Sequence, residues 1–215
     1  MEHWISQTED FVRQALPVDA TGHDWQHVFR VRRNAVAIAR AEQADLLVVE
    51  LAALLHDIAD HKFHQGNEHA GHQAARQWLE KLEVPEPIIE QVCQIIARLS
   101  FKGADVVQEP LSLAGQIVQD ADRLDALGAI GIARAFAYGG YKDRPMFDPE
   151  VPPERHATFE AYKKSAGPTL NHFYEKLFKV RKQLNTKTAK SIALKREKFM
   201  KAFLKEFYAE WDGKA

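Results

Sequence analysis

The residues of this sequence best suited to chemistry are His56 and Asp57, which directly follow the apolar run at 51–55. The surrounding positions leave almost no polar face, which predicts the end of a buried helix; they are Val48, Val49, Leu51, Leu54, Leu55 and Ile58. Burying an imidazole and a carboxylate there without partners costs several kcal/mol, on the order of a lost hydrogen bond or more. A metal ion held by both side chains removes that cost.

Further ligands must come from other helices, and His27 and Asp122 are the natural candidates. His27 lies one turn before Val31 on a predicted amphipathic helix, and Asp122 lies in a second apolar helical stretch, 117–124. Two imidazoles and two carboxylates suit Mn²⁺, Fe²⁺, Co²⁺, Ni²⁺ or Mg²⁺, with positions open for water. The other His-Asp pair, His23-Asp24, follows a glycine turn, where Asp24 has a capping role that needs no metal.

The order His27, His56-Asp57, Asp122 resembles the signature of the HD-domain metal-dependent phosphohydrolases. Flanking segments resemble one bacterial subfamily of small, stand-alone HD hydrolases over nearly the whole chain; they are 22–27, 54–60, 119–126, 130–136 and 172–177. The resemblance implies an all-α helical bundle that binds one divalent metal ion through these four residues. It also implies cleavage of phosphate esters or anhydrides, usually in nucleotides.

Asp60 and His69 are the predicted catalytic residues. Asp60 stands where guanosine-tetraphosphate hydrolases of this group carry an acidic pair, so we expect it to position or deprotonate the attacking water; a helix-end carboxylate is the alternative. His69 stands where some two-metal HD enzymes have a third histidine. Because a fourth is missing near 98–100, we predict one metal, with His69 contacting phosphate or transferring a proton; a polar contact without a catalytic role is the alternative.

Phosphate binding needs cations, and four basic residues are predicted to supply them, each with a surface ion pair as its alternative role. Arginine grips phosphate through two donors, whereas lysine contributes a point charge. The four are Arg30, Lys62, Arg123 and Lys176.

Apolar periodicity predicts a single all-helical domain over 1–215, with a metal core at about 20–130 and C-terminal helices at 155–211 packed on it. The predicted helices cover 3–16, 24–44, 46–59, 68–82, a segment from Pro85, 111–138 with a break near Leu127-Gly128, 168–184 and 188–211. The glycine- and proline-rich segment 139–153 is predicted to be an exposed loop and a candidate lid.

Composition narrows the function classes. The chain of 215 residues has no apolar run of membrane-spanning length and no signal sequence, and its single cysteine, Cys93, fits an apolar stripe, so we expect a cytoplasmic protein. From Lys163 onward, 14 lysines and arginines accompany 5 aspartates and glutamates. This excess could mark a nucleic-acid surface, but lysines opposite an apolar stripe are better explained as the solvated face of a helix.

The predicted activity is therefore hydrolysis of a small phosphorylated substrate, either by a (deoxy)nucleoside triphosphate pyrophosphohydrolase or by a related phosphatase. The alternative is a regulatory module that binds nucleotides without turnover. The sequence leaves open whether the protein forms a homodimer, and no membrane partner is expected.

Overall fold

The computed structural model describes residues 2–16, 22, 24–58, 70–99, 110–154 and 167–214. Within these ranges every regular element is a helix, which confirms the all-α prediction. The helices are α1 (Glu2–Ala15), α2 (Trp25–Glu42), α3 (Leu46–Leu55), α4 (Ala70–Lys81), α5 (Glu86–Leu99), α6 (Leu113–Asp125), α7 (Gly128–Tyr141), α8 (Phe178–Val180) and α9 (Lys187–Trp211), with a π-helical turn at Phe173–Leu177 and a 3₁₀ turn at Arg181–Gln183. None of the helices in the described ranges is long and apolar enough to cross a membrane.

The chain divides into two compact units. Unit 1 comprises residues 1–19 and 23–122, and unit 2 comprises residues 20–22 and 123–215. The single domain expected over 1–215 stays a prediction.

The centre of unit 1 is α3, the predicted buried helix. Seven of its ten residues are buried, and it packs against α1, α2 and α5. Asp45 caps its N-terminus by accepting hydrogen bonds from the backbone N–H groups of Leu47 and Val48. A helix whose only polar residue is Glu50 must be enclosed by others, so the three neighbouring helices hold the residues that follow it, His56 and Asp57, in a fixed place.

Polar contacts tie these helices together. Arg32 on α2 forms ion pairs of 2.6 Å with both Glu9 on α1 and Glu50 on α3. On the other side of α1, the Trp78 indole of α4 donates to the Thr8 hydroxyl at 3.0 Å. The position of α2 relative to α3 is therefore set by packing and by a bridging guanidinium.

Unit 2 is built on α7 and α9, which pack together. Aromatic rings fill the space between them and the π-helical turn; they belong to Phe136, Phe173, Phe203 and Phe207. The break predicted near Leu127-Gly128 is present, because α6 ends at Asp125 and α7 begins at Gly128 with φ +77°.

The ends of two helices and the winding of a third helical segment differ from the predictions. Helix α3 ends at Leu55, because His56 is its C-terminal cap. Helix α7 continues through Tyr141, where a loop was predicted. Gly139 does not mark a loop but a close approach within the fold, since a Cβ at this position would lie 2.1 Å from the Thr169 Oγ1. The predicted helix 168–184 changes from π to α to 3₁₀ winding along its length.

Candidate metal centre

His27 is positioned by the first turn of α2. Asp24 caps this helix, as predicted, and its carboxylate accepts a hydrogen bond at 2.9 Å from the backbone N–H of His27 itself. The side chain of His27 is 1% exposed. The cap therefore fixes the backbone of the buried histidine directly.

His56 is positioned by the end of α3. Its Nδ1 donates a hydrogen bond to the carbonyl of Ala53, one turn earlier, at 2.9 Å. A carbonyl oxygen only accepts, so in the neutral imidazole the proton is on Nδ1 and the lone pair is on Nε2. This Nε2 is buried and has no hydrogen-bond partner among the described residues, and a hydrogen bond from the other ring nitrogen is typical of histidines that bind metal.

The side chains of His27 and Asp57 meet that of His56 at this lone pair, and a fourth side chain, Asp122 of α6, contacts His27. The Nε2 of His27 lies 3.3 Å from the Asp122 Oδ1 and 3.6 Å from the Asp57 Oδ2, which lies 3.8 Å from the Nε2 of His56. The ligand atoms of His27, His56 and Asp57 all lie within 4.8 Å of one another. Because ligands at about 2.1 Å from a cation are separated by about 3 to 4 Å, this spacing fits one ion.

The four candidate ligand side chains differ in their exposure to solvent. The side chains of His27, His56 and Asp57 are 1%, 6% and 16% exposed, whereas that of Asp122 is 49% exposed. The group is thus closed on the histidine side and open beside Asp122. Catalytic metal sites have this arrangement, since a position must remain for water or substrate.

The charge state of Asp122 also suits a metal ligand. Desolvation raises the pKa of this carboxyl, but in the metal-free protein the hydrogen bond with His27 and the charges that His27 and His56 carry when protonated outweigh it, so the pKa lies below its usual range. Ligands bind metal in their deprotonated form. The two imidazoles therefore favour the anionic Asp122 that a cation requires.

The other predicted site residues are not gathered at this group by any described contact. The guanidinium of Arg123 donates to the carbonyl of Gln183, and Lys176 is exposed on the π-helical turn. Arg30 lies on α2, one turn after His27. The predicted catalytic residues Asp60 and His69, together with Lys62, lie outside the described residues.

Arg134, which pairs with a buried carboxylate, was assigned no role from the sequence. Arg134 of α7 donates to the buried carboxylate of Asp125 at 2.5 Å and to the carbonyl of Gly22 at 3.0 Å. The only available signal was that 130–136 belongs to a resembling segment, because nothing local in the sequence links Arg134 to Gly22.

A metal ion at this group is expected to raise the melting temperature. An ion present at 100 times its dissociation constant, and bound only by the folded state, stabilises that state by about 2.7 kcal/mol. For a chain of this size the shift is on the order of 5–10 °C. Thermal melting with chelator and then with Mn²⁺, Co²⁺ or Ni²⁺ measures it, and identical melting curves in all four conditions would contradict a tight site.

Comparison with known proteins identifies relatives over the full length. The family model described as HD domain matches residues 24–127. YpgQ of Bacillus subtilis is 36% identical over 208 residues, covering 96% of this chain and 93% of that protein. A crystal structure of an HD-superfamily hydrolase from Bacillus thuringiensis has a TM-score of 0.78 and 42% identity, covering 98% of both chains. The crystal structure of Bacillus subtilis YpgQ in complex with ADP has a TM-score of 0.77 and 32% identity, covering 97% of this chain and 95% of that one.

Proposed function

The chain belongs to the HD-domain family and shares the fold of its hydrolases, and on this premise we propose that it is a metal-dependent phosphohydrolase acting on nucleotides. The observation that carries the proposal is the Nε2 lone pair of His56, buried beside a second imidazole and a carboxylate. Nothing in the described protein hydrogen-bonds to that atom, and a cation satisfies it.

His27, His56, Asp57 and Asp122 are the proposed ligands. A bound divalent cation supplies Lewis-acid chemistry, because it lowers the pKa of water and offsets negative charge on a phosphoryl group. The chain contributes the geometry: the Ala53 carbonyl orients His56, and the Asp24 cap fixes His27. The two carboxylates bring negative charge that favours a divalent over a monovalent cation.

The remaining predicted residues complete the proposed mechanism. Asp60 positions or deprotonates the attacking water, and His69 contacts phosphate or carries a proton. Arg30, Lys62, Arg123 and Lys176 bind phosphate oxygens. Asp60, Lys62 and His69 lie outside the described residues, so their roles rest on the sequence and on the family resemblance.

A nucleotide substrate is supported by the complex of YpgQ with ADP. That relative is similar to this chain over almost its whole length. A nucleoside carrying one or more phosphates is therefore the substrate class we propose. Within it, a pyrophosphohydrolase acting on (deoxy)nucleoside triphosphates and a phosphatase acting on monophosphates differ in the bond that is cleaved.

A nucleotide panel tests the proposal. Protein loaded with Mn²⁺, Co²⁺ or Ni²⁺ is incubated with nucleoside mono-, di- and triphosphates and their deoxy forms, and phosphate and pyrophosphate are measured separately. We expect metal-dependent release from at least one nucleotide, with pyrophosphate release marking a pyrophosphohydrolase. If no nucleotide in the panel releases phosphate or pyrophosphate, the proposed enzymatic activity is contradicted. Tight nucleotide binding without such release would favour the non-catalytic regulatory module.

A further inference from the structure

The two histidines of the candidate centre lie at the same end of one helical hairpin. Helices α2 and α3 pack against each other and are joined by residues 43–45, and a connection this short makes neighbouring helices antiparallel. His27 is in the first turn of α2 and His56 directly follows α3, so both lie at the end away from the connection. The centroids of their rings are 5.4 Å apart. The spacing of the two histidines therefore depends on how α3 lies against α2.

Apolar packing by itself specifies the rotation of α3 only weakly. Nine of its ten residues are leucine, valine or alanine, so its surface is apolar on nearly every side. Hydrophobic attraction is non-directional, and a helix without a polar face has no side that must turn toward solvent. Glu50 is the single polar residue within the helix. Its contacts therefore distinguish one rotation of α3 from another.

Glu50 is paired with Arg32 of α2. The Nε of Arg32 donates to the Glu50 Oε1 at 2.8 Å, and the Nη2 lies 2.6 Å from the same oxygen. Each of the two side chains is 20% exposed. Arg32 follows His27 by five residues and Glu50 precedes His56 by six, which at 1.5 Å per residue is about 8 Å along either helix. The ion pair therefore joins α2 to α3 at one level of the hairpin, between the connection and the candidate centre.

We propose that Arg32 and Glu50 are positioning residues of the metal centre: their ion pair sets the rotation of α3 against α2 and thereby the spacing of the ligands His27 and His56. The inference rests on the proposed function, because it concerns the ligands named there. A partly buried ion pair adds little net stability, but it selects one arrangement of the elements that it joins. Metal binding depends on that selection, since ligands must be held within about 0.5 Å of the productive geometry.

The third contact of Arg32 provides a matched control. Its Nη1 lies 2.6 Å from the Glu9 Oε2 of α1, so one guanidinium pairs with two carboxylates, of which only Glu50 belongs to α3. Glu50→Ala and Glu9→Ala each remove one of these carboxylates and leave the other on Arg32. Alanine is the best helix former, so neither substitution weakens its own helix. A difference between the two variants in metal binding therefore reports the link from α2 to α3.

Titration with Co²⁺ measures the effect on the centre. Glu50→Ala is expected to bind Co²⁺ about tenfold more weakly than the wild type, the size of loss seen when residues that support metal ligands are removed. The visible absorption of bound Co²⁺, which depends on ligand geometry, is expected to change in the same variant. Glu9→Ala is expected to match the wild type in both measurements. Thermal melting in chelator checks that each variant is folded.

A double variant separates positioning from the loss of a charge. Arg32→Met with Glu50→Met replaces the ion pair by apolar side chains of similar length, which is often neutral for stability. This protein is expected to melt close to the wild type in chelator and yet to bind Co²⁺ as weakly as Glu50→Ala. Wild-type affinity and absorption in the double variant would overturn the proposal, because the hairpin would then hold the ligands without the pair.

The remaining outcomes separate this proposal from the proposed function. If Glu50→Ala binds Co²⁺ like the wild type, or if Glu9→Ala loses as much affinity, the Arg32–Glu50 pair does not position the centre, even in an active phosphohydrolase. If the wild type binds Co²⁺ and Glu50→Ala alone is weakened, but no nucleotide is hydrolysed, the positioning role stands and the enzymatic activity fails. A wild type that binds no Co²⁺ would contradict both.

Discussion

Replacing Asp57 by alanine is expected to abolish metal binding and with it the hydrolytic activity. The Asp57 carboxylate is the proposed ligand that lies near both histidines, with its Oδ2 at 3.6 Å from the Nε2 of His27 and 3.8 Å from that of His56. Without it, two imidazoles and the half-exposed Asp122 remain, with only one negative charge. Loss of Lewis-acid stabilisation worth several kcal/mol corresponds to a fall in rate on the order of 10³-fold or more.

The metal-free Asp57→Ala protein is expected to remain folded. Asp57 repels the carboxylate of Asp122, since its charge raises the pKa of that residue. Removing one of two neighbouring carboxylates relieves this repulsion, so in chelator the variant is expected to melt close to the wild type. Functional sites commonly sacrifice stability in this way. Added metal, which raises the melting temperature of the wild type, is expected to have no effect on the variant.

A matched control is Asp45→Ala, at the other end of α3. Asp45 caps the helix through two backbone N–H groups, so its loss is expected to cost about 1 kcal/mol of stability. It is expected to keep full metal content by elemental analysis. If Asp57→Ala keeps metal and turnover, or if Asp45→Ala loses metal to the same extent, the centre is misplaced.

The residues of the candidate centre could be predicted because polar side chains in apolar helices stand out in a sequence. His27, His56, Asp57 and Asp122 were each chosen on that ground. The structure places the ligand atoms of the first three within 4.8 Å of one another and Asp122 against His27, and their role as metal ligands stays a prediction. Their orientation could not be predicted. The apolar pattern continues through Ile58, so nothing in it shows that α3 ends at Leu55 and that the Ala53 carbonyl accepts from the His56 ring.

Long-range contacts explain the other differences. A pair of glycines near a proline predicts a loop by local rules, yet both glycines lie inside α7. At position 139 a glycine is required because Thr169, thirty residues later, leaves no room for a Cβ. A π-helical turn at Phe173–Leu177 likewise shifts the register of side chains, and a search for the 3.6-residue period does not detect it. Helix positions follow from local pattern, whereas contacts between distant segments depend on the folded chain.

Arg134→Ala is expected to lower the free energy of unfolding by about 3 kcal/mol, the lower end of the range for breaking a buried ion pair. Asp125 is 1% exposed, and its carboxylate lies 2.5 Å from the Arg134 guanidinium, which is one quarter exposed. The substitution leaves that carboxylate without its arginine, and it also removes the hydrogen bond to the Gly22 carbonyl. Denaturant unfolding measures the loss.

Arg76→Ala is the informative control, because Arg76 forms three ion pairs, all at the protein surface. It contacts Glu80, Glu86 and Glu90 at 3.3, 2.8 and 2.9 Å, but all three glutamates are more than half exposed. Exposed pairs contribute about 0 to 1 kcal/mol each. Burial rather than the number of partners therefore decides the cost, and an equal loss in both variants would contradict this explanation.

A second change distinguishes a buried charge from lost packing. If the buried Asp125 carboxylate, deprived of Arg134, causes the loss, adding Asp125→Asn to Arg134→Ala removes its charge and is expected to recover part of the stability. The Arg134→Ala protein is also expected to bind metal about tenfold more weakly, as when residues that support metal ligands are removed, because Asp125 lies one turn after Asp122 on α6. Metal titration of the two variants tests this, and wild-type affinity in Arg134→Ala would restrict Arg134 to a role in stability.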